Sequence, residues 1–153
     1  MTSLELKVPP IALVFIFMFS MWLVSAQLPK PDILGSGSTI AAAFIVIFGA
    51  AVSISGVLAF RQAQTTVNPL APQEASTLVK SGVYRITRNP MYVGFLLFLL
   101  GFGIYLQSVY SLVLCLGFVV YMNRFQIEPE ERFLEAHFRS EFVLYKDKVR
   151  RWI

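Results

Sequence analysis

Apolar residues run along this chain in long blocks broken by short polar gaps and one long polar loop. Ile11–Leu28 contains no charged residue, and neither does Gly35–Phe60 nor Met91–Asn123. A helix rises about 1.5 Å per residue, so a hydrocarbon core about 30 Å thick takes roughly 20 residues per crossing. Each of the first two blocks fits one crossing. The third, at 33 residues, is too long for one and predicts a helical hairpin turning near Gln107–Ser108. The pattern therefore predicts an all-α integral membrane bundle in a single domain over residues 1–153. Four spans are expected, at about 8–28, 36–60, 91–107 and 108–123.

The breaks read as connections. Pro9-Pro10 opens the first span, and Pro29-Lys30-Pro31-Asp32 is a short outer turn. Gly35-Ser36-Gly37-Ser38 lacks the strand and lysine of a phosphate loop and reads as another turn. Small residues at Gly49, Ala51, Ser53, Ser55 and Gly56 would let a neighbouring helix backbone approach span two closely. The segment 61–90 is long and polar, with Thr65-Thr66-Val67-Asn68, Pro69 and Pro72, while Leu78, Val79, Val83 and Tyr84 give it apolar anchors. Pro90 suits the first position of helix three, where its missing N–H costs nothing. Beyond span four, Phe133, Leu134, Phe138, Phe142 and Tyr145 recur at helical spacing, which predicts one C-terminal helix over 128–148.

Charge orients the bundle. Arg61, Lys80, Arg85 and Arg88 lie between spans two and three. Arg124, Arg132, Arg139, Lys146, Lys148, Arg150 and Arg151 follow span four. That puts 11 of the 13 Lys+Arg on one side, against Lys30 in the first outer loop and none in the second. The positive-inside rule then predicts a cytoplasmic loop 61–90 and cytoplasmic N- and C-termini, with Lys7 in agreement. Val24-Ser25-Ala26 resembles a signal-peptidase site, but the weak charge before it and the continuation to Leu28 favour a retained span. The 56% hydrophobic content agrees with a membrane protein, and a net charge of +4 calls for anionic lipid rather than nucleic acid. With Cys115 the single cysteine and His137 the single histidine, neither a disulfide framework nor a histidine metal cluster is available.

Chemistry concentrates where the loop enters helix three. Gly82–Gly94 reads G-V-Y-R-I-T-R-N-P-M-Y-V-G, setting Tyr84, Arg85, Arg88, Asn89 and Tyr92 at a membrane surface. Near the C-terminus stand Glu130 and Glu131, then a basic end from Tyr145 to Trp152. Singly, these residues suit simpler roles: arginines as anchors, tyrosines as interfacial aromatics, glutamates as complements to a helix N-terminus. Their conjunction on one face points to a polar site.

Thr65–Pro69, Gly82–Gly94 and Glu130–Trp152 resemble the membrane methyltransferases that act on isoprenylcysteine carboxyls and on phospholipid nitrogen. The family pattern, roughly G-x-Y-x-x-x-R-[HN]-P-x-Y-x-G, then E-E-x-x-L, F-G-x-x-Y-x-x-Y and V-x-R, appears as Gly82, Tyr84, Arg88, Asn89, Pro90, Tyr92 and Gly94. It continues as Glu130, Glu131, Leu134, Phe138, Tyr145, Val149 and Arg151. Asn89 stands for the histidine of the eukaryotic enzymes, Arg139 for a usual glycine, Phe142 for a tyrosine and Arg150 for a common proline. The resemblance implies a bacterial-type member in the inner (plasma) membrane, S-adenosylmethionine as donor, and a lipophilic small molecule or lipid as acceptor. It implies Arg88 and Glu131 as catalytic, Tyr84, Arg88, Asn89, Tyr92, Glu130 and Glu131 as cofactor-binding, and Tyr145, Lys148 and Arg151 as substrate-binding. Which of the two glutamates contacts the cofactor stays open. Other readings fit the same pattern: a methyltransferase for a phospholipid or a small thiol or amine, a membrane reductase of the steroid-reductase type using NADPH, or a non-enzymatic scaffold. The chain leaves the acceptor and the oligomeric state open.

Overall fold

A computed structural model describes residues 4–29, 35, 37–65 and 76–153. Residues 30–34, with most of the turn expected over Pro29–Asp32, Ser36, and the polar run Thr66–Asn68 with Pro69 and Pro72 lie outside the described residues. The helices are α1 (Pro10–Gln27), α2 (Ser38–Gln62), α3 (Pro90–Tyr105), α4 (Val109–Tyr121), α5 (Glu128–Phe138) and α6 (Ser140–Lys148). Among the described residues the one β feature is an isolated parallel bridge between Thr87 and Arg150.

The helices begin where the sequence lets them. α1 opens on Pro10 after Pro9, and α3 opens on Pro90 after Asn89. α3 and α4 form the expected hairpin. Gln107 takes a left-handed φ of 52° at the turn, and the Ser108 hydroxyl caps α4 by accepting from Ser111 N.

Packing is apolar both inside and out. Leu13, Val14, Met21, Leu99, Cys115, Phe118 and Met122 fill the centre, while Phe15, Phe19, Ile40, Phe44, Ile47, Leu116 and Val120 point outward. Apolar faces of that extent require lipid around them. Among the described residues, three helical stretches are long and apolar enough to cross a membrane: Pro10–Gln27, Ser38–Gln62 and the continuous run Val109–Phe138. Pro90–Tyr105, expected as a further span, is apolar but shorter, at 16 residues.

α2 and α3 pack closest of all. A side chain at Gly94 would strike Ser53 Oγ and the Gly49 carbonyl, and one at Gly49 would meet Gly94 O and Leu97 Cβ at 2.9 Å. Ser53 Oγ donates to Met91 O at 3.2 Å. Gly49, Ser53 and Gly56 thus serve the close approach expected of them, whereas Ala51 is exposed.

The expected single helix over 128–148 is instead two helices. The chain breaks at Arg139, where φ is 47° and ψ −121°, and α6 turns back so that Phe142 and Tyr145 pack with Leu134 and Phe138. Between α4 and α5 the helix widens to a π-turn over Met122–Ile127. The N-terminal segment lies across this end: Leu6 N donates to Phe125 O at 3.0 Å, and Arg132 pairs with the buried Glu5 at 2.7 Å. The described N-terminal residues, the α2–α3 loop and the C-terminal helices therefore share one end of the bundle.

Candidate functional site

The entrance to α3 is stitched to the C-terminal tail. Gly82, with φ +60°, starts a short 3-10 turn through Arg85 that carries Tyr84 inward. Arg88 N donates to Arg150 O at 3.0 Å, Thr87 Oγ1 to Arg151 O at 3.2 Å, and Asn89 Nδ2 to Arg151 O at 2.9 Å. Tyr145 Oη donates to Tyr84 O at 2.7 Å. The two sequence segments that seemed to be halves of one site are joined through backbone carbonyls.

Charge organises what lies inside. Arg88 Nη2 donates to Glu131 Oε1 at 2.7 Å, and its Nη1 donates to the carbonyls of Lys146 (3.0 Å) and Val149 (2.8 Å). Arg151 grips the same carboxylate through Nη2 to Oε2 at 2.6 Å and Nε to Oε1 at 3.2 Å. A guanidinium carries five N–H donors. Arg88 spends three here, and its buried Nε has no partner. Glu130, one residue earlier and so turned about 100° round the helix, meets no cation. Its Oε1 accepts from Tyr92 Oη and from Gln126 Nε2, the latter at 2.6 Å.

The two carboxylates are thus pushed apart. Both stand in the charged extension beyond Asn123, where the charge-free part of the α4 stretch ends. Burial raises Glu130 to about 7, against the opposing hydrogen bonds of Tyr92 and Gln126 and with the Glu131 charge adding to the rise. Burial also works to raise Glu131, but hydrogen bonds from Arg151 and Arg88, and then their charges, hold it below the usual value. Burial lifts the Tyr145 phenol to about 12, and lifts Tyr84 further.

Beside this network opens a small cleft of about 60 Å³, walled by Phe60, Leu78, Tyr84, Leu134, Phe142 and Tyr145 and edged by Arg88, Asn89, Glu130 and Glu131. Of the residues singled out from sequence, Tyr84, Arg88, Asn89, Glu130, Glu131 and Tyr145 line it. Arg151 braces it from behind through Glu131, and Tyr92 through Glu130. Lys148 does not join them; it lines a separate groove with Lys80, Arg85 and Glu141. Sequence reasoning passed over Gln126, Asn123 and Thr87. Asn123 Oδ1 accepts from Trp152 Nε1 at 3.0 Å and from Arg151 Nη1 at 3.5 Å. The available signal was polar residues at 123, 126 and 130, a helical spacing at the end of an apolar run. Nothing in the sequence marked the Lys146 and Val149 carbonyls.

The chain matches the sequence model of the phospholipid methyltransferase family over residues 38–141, from the start of α2 into α6. It is 40% identical over 63 residues to an uncharacterised protein of Haemophilus influenzae, covering 41% of this chain and all of that protein. It is 37% identical over 75 residues to the protein-S-isoprenylcysteine O-methyltransferase of Saccharomyces cerevisiae, covering 47% of this chain and 30% of that one. A probable protein-S-isoprenylcysteine O-methyltransferase of rice is 32% identical over 108 residues, 69% of this chain and 55% of the other. Against these named methyltransferases the match spans about half of their length or less.

Proposed function

The chain belongs to the phospholipid methyltransferase family, and on that footing we propose that it is an S-adenosylmethionine-dependent methyltransferase for a lipophilic acceptor at the cytoplasmic membrane face. In this reading α3 is a fourth, short span, the shared end of the bundle faces the cytoplasm, and the membrane is a bacterial inner membrane. The resemblance to isoprenylcysteine O-methyltransferases supports an acceptor with a long apolar portion, which would reach the site from the bilayer.

One observation carries the cofactor assignment. Arg88 Nε is a buried donor without a partner in a residue that lines the cleft. Leaving such a donor unmatched costs about 1–3 kcal/mol, and a carboxylate is the acceptor that a guanidinium edge suits best. The amino-acid end of S-adenosylmethionine offers one. The rest of the lining fits the same molecule: Tyr84, Phe60, Phe142 and Tyr145 present aromatic surface for a flat base or a sulfonium, and Asn89 and Glu130 present hydrogen-bonding groups.

When bound, the cofactor supplies a methyl group on a positively charged sulfur. The protein's own task is alignment and exclusion of water, and orientation alone contributes up to about 7–11 kcal/mol in favourable cases. Glu131 fixes Arg88 and Arg151 so that the cleft wall does not reorganise. Glu130, near 7, holds a proton or takes one according to the acceptor. It can accept a proton from an amine or thiol, or stay neutral beside an acceptor carboxylate.

Calorimetry of the protein in lipid nanodiscs tests the reading, with S-adenosylmethionine, S-adenosylhomocysteine and NADPH as titrants. Saturable binding of the first two is expected, with loss in Leu134→Trp, which fills the cleft wall without touching the ion network. Binding of NADPH alone would transfer the chain to a reductase reading; binding of none of the three would overturn the cofactor assignment.

A further inference from the structure

The groove that takes Lys148 away from the cleft has a chemistry of its own. It holds about 400 Å³ and is lined by Lys80, Arg85, Glu141, Leu144, Lys148 and one side of Tyr145. Lys80 is neutralised by Glu141 at 2.6 Å. Arg85 and Lys148 are exposed, and among the described residues neither side chain has an ion-pair or hydrogen-bond partner. The lining therefore carries two uncompensated positive charges.

Its position matters as much as its charge. Arg85 stands five residues before Pro90, where α3 begins, and Lys148 ends α6 just before Arg150 pairs with Thr87. Leu144, in the groove wall, is 61% exposed, and Ile86, next to Arg85 in the chain but outside the lining, is 67% exposed. Large apolar side chains next to unpaired cations, level with the end of a membrane helix, match the boundary where headgroups meet acyl chains. An acidic protein segment would satisfy the cations but leave Leu144 in water. A lipid satisfies both.

We propose that this groove binds the phosphate of an anionic phospholipid of the surrounding leaflet, with Arg85 and Lys148 on the headgroup and Leu144 against its chains. The site is separate from the cleft and does not depend on what the cleft binds. Tyr145 lines both, but its hydroxyl is committed to the Tyr84 carbonyl. A lipid held there would brace α6 against the loop 80–86 from the outside, as the Lys80–Glu141 pair does.

The test uses the full chain in phosphatidylcholine nanodiscs with phosphatidylglycerol titrated in, and retained lipid counted by native mass spectrometry. Phosphatidylglycerol should be retained in preference to phosphatidylcholine. Arg85→Gln/Lys148→Gln should weaken that retention about thirtyfold, at about 1 kcal/mol per basic residue, and each single change about fivefold. Arg61→Gln/Arg124→Gln removes the same charge elsewhere on the surface and should leave retention unchanged. Equal losses in the two double variants would overturn the site in favour of diffuse surface charge. Equal retention of the two lipids would also overturn it, as would displacement of the bound lipid by inorganic phosphate, which would make the groove a site for free anions. Circular dichroism in pure phosphatidylcholine reports whether a variant has folded, and the two single variants decide the matter where the double does not.

Discussion

Replacing Glu131 with glutamine keeps the side chain's length and removes the one charge that two guanidiniums share. Glu131 receives Arg88 at 2.7 Å and Arg151 at 2.6 Å. The Arg88 and Glu131 side chains are 10% and 14% exposed, so the pair is largely out of water, whereas Arg151 is 31% exposed. Removing one partner of a buried pair costs about 3–5 kcal/mol. Arg151 can recover hydration and solvent screens its share, which brings the expected loss to about 2–4 kcal/mol. For a chain of this size that is a fall in Tm of roughly 4–16 °C.

Thermal unfolding in detergent measures the loss, and a cycle with Arg151→Gln isolates the shared term. The Glu131–Arg151 coupling should be on the order of 1–3 kcal/mol. pH supplies an independent reading. The Glu131 carboxyl is held below its usual 4.5, so its contribution is present above that value and is lost as pH falls through the lower, folded-state one. Wild type should therefore weaken below about pH 4.5 in a way that Glu131→Gln does not. Additive effects in the cycle, or an unshifted Tm in Glu131→Gln, would refute the view that one carboxylate holds the two segments together.

Arg139→Gly should stabilise the fold by about 1–3 kcal/mol, since φ 47° and ψ −121° suit glycine alone and the exposed arginine makes no pairing that would be lost; an unchanged or lower Tm would refute the strain. Gly94→Ala should destabilise by roughly 3 kcal/mol or more, because the new methyl meets the Gly49 carbonyl and Ser53 Oγ at once, and a wild-type melt would mean that α2 and α3 pack less closely. Glu130, raised to about 7 from 4.5, contributes stability that is full below pH 4.5 and lost as pH rises through about 7, on the order of 3 kcal/mol in all. Glu130→Gln should flatten the Tm profile between pH 5 and 8, and profiles that stay parallel would sink that assignment.

The membrane helices were legible because they are written in long apolar blocks, and a block of 33 residues has to fold back on itself. Prolines 10 and 90 marked helix starts for the reason that their missing N–H is not needed there. The break at Arg139 was illegible because the apolar spacing from Phe133 to Tyr145 continues through it. The glycine usual there in the family was the sole hint, and here an arginine stands in its place. The π-turn over Met122–Ile127 left no mark either, since no proline or glycine announces it, yet it carries Asn123, which holds Arg151 and Trp152, and Gln126, which holds Glu130.

The site residues were legible as a set but not as pairs. Adjacent glutamates look equivalent in a sequence. On a helix they face about 100° apart, so Glu131 meets both arginines while Glu130 meets Tyr92 and Gln126. In the proposed reading that divergence gives the two carboxylates separate tasks. Glu131 stays charged and holds Arg88 and Arg151 in place, while Glu130, near 7, is the one that would respond to an acceptor. Arg88 joins Glu131 to the backbone, since its carbonyl contacts at Lys146 and Val149 bind the tail to α3 whatever the cleft contains. A substitution at Arg88 would therefore confound folding with binding, and changes in the cleft wall, such as Leu134→Trp, are the cleaner way to ask what the site holds.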